Sequence, residues 1–256
     1  MQCPRVPRLA ALVAIFSSLV GSGAPAYDAG ALARVIAGKD CPKCDLSGAD
    51  LSEADLAGLD LGGVRARDAN FSRANLQGTN LAGADLRGAN LTGAKASKAW
   101  LVIANLDKAS FAEARLIDAD LSRARLTSAS LVSAIANGAN FEGATMRLTD
   151  FSGAHLADAR FASVKAPAVR FTSANLKRAS FAEANVAGGH FDRTDVSGAD
   201  FRKANLWKAD LRGALITGAS FNRAHLRIAK LPPEVDSASF CRATMPDGSV
   251  SRKGCN

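Results

Sequence analysis

Large side chains are scarce in this 256-residue chain: aromatic residues make up 6% of it, with two tryptophans and one tyrosine. A globular core of that size ordinarily needs more of them, so something other than big rings must fill the interior. No phosphate-cradling glycine motif is present, and no pair of carboxylates stands apart as an acid and a base. The three histidines, at 155, 190 and 225, are evenly spaced rather than clustered. These absences argue against an enzyme and leave no cofactor or metal to expect. Alanine, leucine, aspartate, asparagine, serine and glycine dominate instead, and with 48% hydrophobic residues the chain is too apolar to stay disordered. A regular fold with small core residues fits that composition.

The ends of the chain have their own chemistry. Residues 1–26 read as a secretory signal, with Arg5 and Arg8 as the positive start, Leu9 to Val20 as the apolar run, and Ala24-Pro25-Ala26 as the cleavage site before Tyr27. The run is short for a bilayer span, so the mature chain is expected to lack a transmembrane segment and to be periplasmic or secreted. Removing the leader lowers the formal net charge from +8 to +6 and leaves four cysteines, Cys41, Cys44, Cys241 and Cys255. An even count in an exported protein points to two disulfides. The Cys41-x-x-Cys44 spacing also suits a redox pair or half a zinc site, but no βαβ pattern surrounds it. A structural bridge at each end is the better reading.

Between the ends one unit repeats without interruption: Asp45-Leu46-Ser47-Gly48-Ala49-Asp50-Leu51, Ala84-Asp85-Leu86-Arg87-Gly88-Ala89-Asn90-Leu91, Ala199-Asp200-Phe201-Arg202-Lys203-Ala204-Asn205-Leu206. The unit is Ala-(Asp/Asn)-(Leu/Phe)-x-x, and its apolar centre recurs at every fifth position from Leu46 to Leu231, 38 times. Twenty centres are Leu, ten are Phe, and alanine fills 29 of the places two residues before a centre. A period of five fits neither helix nor strand, so each unit needs one bend, and bends in one sense wind a coil. The polar x-x pair, often ending in glycine, supplies the corner.

This pattern resembles the pentapeptide-repeat family over residues 44–231. The resemblance implies an all-β, right-handed four-sided β-helix of 20 residues per coil. On that geometry Phe141, Phe151, Phe161, Phe171, Phe181, Phe191 and Phe201 fall on two opposite faces, while Ala66, Ala96, Ala136 and Ala166 fall on the other two. Close packing at fixed width calls for such compensation. Stacked at strand spacing, the coils make a rod about 45 Å long. Residues 27–43 are expected to cap it with a short amphipathic helix between Asp28 and Lys39. Residues 232–256 should form a C-terminal cap, in which Pro232-Pro233 shifts the pattern by one residue before Phe240 and Met245 resume it.

On a four-sided coil the histidines point from different faces and cannot converge. Outward charge is balanced on three faces, but the one holding centres 46, 66 and 86 carries nine cations against four acids. Its candidate contact residues include Arg65, Arg67, Arg87, Arg125, Arg147 and Lys165. On another face Trp100, Val102 and Ile103 occupy normally polar positions and form a candidate docking patch. The function expected is a non-catalytic exported binding or structural module, meeting a protein or an anionic envelope component, with homo-oligomerisation open. The resemblance also offers an alternative, since some cytosolic members look like duplex DNA and inhibit DNA gyrase. That mimicry needs an acidic rod, whereas this one is basic, and export separates it from nucleic acid.

Overall fold

The computed structural model describes residues 26–255, so the leader expected over residues 1–26 lies, but for Ala26, outside the described residues. The chain enters through helix α1, Ala29–Ile36, shorter at both ends than the segment expected. The Asp28 carboxylate caps it, accepting from the amides of Gly30 and Ala31 at 2.8 and 3.2 Å. Val35 and Ala31 are buried on its inner face, with Leu32 and Ile36 packed against the same core. The Asp28 amide donates to the Asp45 carbonyl, tying the cap to the first coil.

From Leu46 onward the backbone repeats one device. After each centre the chain turns, and the amide three residues on donates back to the centre's carbonyl, as from Ala49 to Leu46 at 3.0 Å. The third residue of every turn from Gly48 to Ile228 has positive φ, the mark of a type II turn. Glycine adopts that conformation freely, but here Glu53, Arg73, Lys98 and Ser128 adopt it too, at about 1 kcal/mol or more each. The stack holds them there: the Glu53 amide donates to the Ser72 carbonyl of the next coil at 2.9 Å, and each such turn does likewise.

The bridges fix the coil at 20 residues, Asp45 pairing with Arg65, Arg65 with Asp85 and so on in parallel. Each side offers a single bridge residue rather than a strand, because a turn every five residues leaves no room for more. The sheet-like order therefore runs along the rod, from coil to coil.

That stacking also explains the Asp/Asn preference before each centre. Its side chain accepts from the amide two residues on, as Asn70 does from Ser72 at 3.1 Å, closing an Asx turn. It also meets its counterpart one coil away, with Asn70, Asn75 and Asn80 donating to Asp50, Asp55 and Asp60 at 2.9, 2.8 and 2.7 Å.

Inside, the alanine position and the centre are both buried along the rod, apart from Cys44, Leu59 and Leu231, which are partly buried near its ends. The phenylalanines make two facing ladders: Phe141, Phe161, Phe181, Phe201 and Phe221 stack at 4.7–4.9 Å, and Phe151 and Phe171 stack at 5.0 Å. Between ladders the rings meet edge to face at 5.5–5.9 Å. Three buried threonines replace the small residue, and each hydroxyl finds a carbonyl: Thr79 that of Leu56, Thr149 that of Leu126, Thr194 that of Phe191.

After Pro232-Pro233 the register shortens by one, Ser220 pairing with Ser239 and His225 with Thr244, and Phe240 stacks on Phe221 at 5.0 Å. The tail then doubles back, Val250 pairing antiparallel with Thr244. Disulfides join Cys41 to Cys44 and Cys241 to Cys255, one at each cap.

Candidate functional site

Each five-residue repeat buries its two apolar positions and points the remaining three outward, so any site must be assembled from side chains stacked along a face. Among the described residues no group of His, Cys, Asp and Glu is placed to hold a metal. His155, His190 and His225 take part in bridges on three different sides, as the 35-residue spacing requires. No helix is long and apolar enough to cross a membrane among the described residues.

The basic face divides into two halves. Toward the N-terminus its arginines are engaged: Arg65 pairs with Asp45 at 3.1 Å, Arg67 and Arg87 both with Asp85 at 2.6 and 2.8 Å, and Arg125 with Asp107 at 2.7 Å, while Lys108 makes no ion pair among the described residues. The Arg87 guanidinium, opposed by partial burial and helped by Arg67, holds the Asp85 carboxyl well below the usual carboxylate range. A shallow depression of about 320 Å³ beside them is lined by Arg67, Asp68, Arg87, Gly88, Asp107 and Lys108, alternating in sign. Four of the six cations singled out by sequence, Arg65, Arg67, Arg87 and Arg125, are therefore largely neutralised by acids 18 or 20 residues away or on the same side.

Between Arg125 and Ile228 the same face holds no acid; the next is Asp247, in the capping coil over Ile228. Arg147, Lys165, Lys208 and Arg227 stand there without an ion pair among the described residues. Three large apolar side chains share that half, Leu148, Trp207 and Ile228, exposed at 41%, 43% and 50%. Between them the corner is lined by Pro167, Ala168, Ala187 and Gly188, so nothing shields the larger groups. The sequence reading passed over Leu148 and Ile228; sorting outward apolar residues by face would have found them.

The second patch keeps Trp100 and Ile103 exposed at 60% and 61%, while Val102 is half-buried. The Ile103 Cδ1 reaches over Gly83 in the preceding coil, where a Cβ would lie 3.9 Å from it.

A solenoid of five-residue turns, capped at both ends and bearing its contacts on flat faces, defines a class of repeat scaffold. The family model "Pentapeptide repeats" matches eight copies over residues 40–65, 69–102, 104–143, 124–162 and 195–231. The chain belongs to the pentapeptide-repeat family.

It is 30% identical to HetL, a pentapeptide repeat protein involved in heterocyst differentiation regulation from the cyanobacterium Nostoc sp. strain PCC 7120. That likeness covers 86% of this chain and 97% of HetL with a TM-score of 0.54. A pentapeptide repeat protein from the Arabidopsis thaliana thylakoid lumen is 25% identical over 50% of this chain and 69% of its own, at a TM-score of 0.24. Full-length QnrB1, a plasmid-mediated fluoroquinolone resistance protein, is 18% identical over 78% of this chain and 81% of its own, at a TM-score of 0.41. No curated protein matches.

Proposed function

We propose that this protein is an exported, non-catalytic binding rod, wound right-handed as its family is, whose C-terminal basic face meets an anionic partner of the cell envelope. The observation that carries this reading is the acid-free half-face: Arg147, Lys165, Lys208 and Arg227 surround exposed Leu148, Trp207 and Ile228. Unpaired cations draw an anionic partner over a Debye length, about 8 Å at physiological salt, and apolar groups beside them hold it at contact. The paired cations nearer the N-terminus contribute less, because their field is cancelled locally. Trp100 and Ile103 offer a second, uncharged contact on the neighbouring face.

The test is co-sedimentation of the purified protein with the envelope fraction of its native cell. Reversal of Arg147, Lys165, Lys208 and Arg227 to Glu should abolish retention, and raising salt should weaken it in the wild type. Retention that ignores both changes would remove the electrostatic reading. Export is tested separately by intact mass without reduction: the envelope or secreted species should begin at Tyr27 and be lighter by about four hydrogens than the reduced chain, as two disulfides require.

A further inference from the structure

The third residue of each turn lies directly over its counterpart one coil away, and its charges follow a rule. Where two such neighbours are both charged they are of opposite sign: Glu53 with Arg73, Lys98 with Asp118, Asp158 with Arg178, Glu183 with Lys203. Three of these four pairs close as ion pairs, at 3.1, 2.6 and 2.7 Å. The rule fails at one place. Arg223 follows Lys203 and Arg242 follows Arg223, three cations in succession, with the rings behind them, Phe201, Phe221 and Phe240, only 4.9 and 5.0 Å apart.

The returning tail adds a fourth cation to this column. Ser251 donates its amide to Ala243 and accepts from Arg242, both at 2.9 and 2.8 Å, which sets Arg252 beside Arg242. The Cys241–Cys255 disulfide holds the tail's end against the coil. The result is a groove of about 1120 Å³, lined by Arg202, Lys203, Arg223, Arg242 and Arg252, with Glu183 as the sole acid among the described residues that line it. Glu183 is taken by Lys203, and Arg202 is taken by Asp200. Arg223, Arg242 and Arg252 make no side-chain hydrogen bond or ion pair among the described residues and are exposed.

Like charges at stacked positions repel, and a local rule broken at one concave place marks a site that something else completes. We infer that this groove binds a ligand carrying two or more oxyanion groups, phosphate or carboxylate, gripped by Arg223, Arg242 and Arg252. The planar guanidinium fork suits both groups, each arginine able to donate two parallel hydrogen bonds. The volume exceeds what one small anion fills and matches an extended, multiply charged molecule. This site lies off the basic face described above and does not depend on it.

Titration calorimetry of the intact, oxidised protein with tripolyphosphate and with trigalacturonate tests the assignment and tells the two chemistries apart. At least one should bind at a 1:1 ratio. Arg223→Gln, Arg242→Gln and Arg252→Gln should each weaken it about tenfold, roughly 1.4 kcal/mol. Cys255→Ser, which frees the tail, should weaken it as well, while the Arg147→Gln/Lys165→Gln double variant should leave it unchanged. Absence of heat with both probes, or equal weakening by the double variant, would overturn the assignment.

Discussion

Residues 46–136 and residues 141–240 obey the same five-residue rule, yet they are filled and faced differently. The first stretch is lined by leucine, with rings only at Phe71 and Phe111, and the four arginines on its share of the basic face are held in ion pairs to Asp45, Asp85 and Asp107. The second stretch is packed by two phenylalanine ladders, one from Phe141 to Phe240 and one from Phe151 to Phe191, and leaves the same face without acids. The difference shows that interior and exterior vary independently. Turn and bridge hydrogen bonds are backbone to backbone, so the coil accepts any apolar centre of suitable volume and any polar pair outside. Half the rod is then free to carry contacts while the other half is electrostatically quiet.

The largest effects should come from the ladders. Phe161 stacks on Phe141 and Phe181 at 4.8 and 4.7 Å and meets Phe151 and Phe171 edge to face. Phe161→Ala should cost about 3–5 kcal/mol in urea unfolding. Leu101→Ala, on the same face in the leucine-lined half, should cost less by the ring–ring contacts, about 0.5–1.5 kcal/mol. Equal losses would erase the distinction between the two interiors. Because each coil touches only its neighbours, hydrogen exchange should rise in the coils flanking residue 161 and not at residues 46–66.

Next in size, Cys255→Ser opens the C-terminal loop and should cost about 3 kcal/mol by the chain-entropy estimate, read as faster exchange of the amides of Arg242 and Ser251. Gly189→Ala follows at about 1–3 kcal/mol. Alanine is the rule at that position of the repeat, but here its Cβ would come within 2.8 Å of the Val186 carbonyl and 2.9 Å of the Phe191 ring. The ring is also tilted 29° against Phe171, the largest departure in the ladders. A neutral outcome for Gly189→Ala would mean that the ring swings back into line at no cost.

How much of this was legible in the sequence depends on what period the feature obeys. The centres, the buried alanines, the ring-bearing faces and the one-residue shift before Phe240 all follow a period of five or ten, which a single sequence displays. The ladders of Asn70 on Asp50 and Asn75 on Asp55 follow a period of 20, visible only once the coil length is known. The ion pairs that quiet the basic face skip by 18 as well as 20, Arg67 reaching forward to Asp85 and Arg125 back to Asp107, because long side chains lean across the turn. Counting charges per face missed that cancellation. Arg252 obeys no period at all: it reaches the groove because the tail reverses after Met245, and only the fold could place it.

The smallest effect expected tests the quiet half. Asp85 accepts from both Arg67 and Arg87 and its carboxyl is held below the usual range, chiefly by the hydrogen bond from Arg87. The depressed value in the fold means that the stabilisation is complete above the unfolded carboxylate range and is lost as pH falls through the folded value. The pair is solvent-screened, so Asp85→Asn should cost no more than about 1 kcal/mol at pH 7. The gap between variant and wild type in urea midpoint should narrow steadily on acidification toward pH 2, because protonation removes from the wild type what the amide already lacks. A gap that persists unchanged at the acid end would mean that shape, rather than charge, is what Asp85 contributes. The same substitution would also leave Arg67 and Arg87 without their ion pairs, adding two free cations to the N-terminal half of the face. Stronger retention on the envelope fraction should accompany it, and unchanged retention would confine the contact to the C-terminal half.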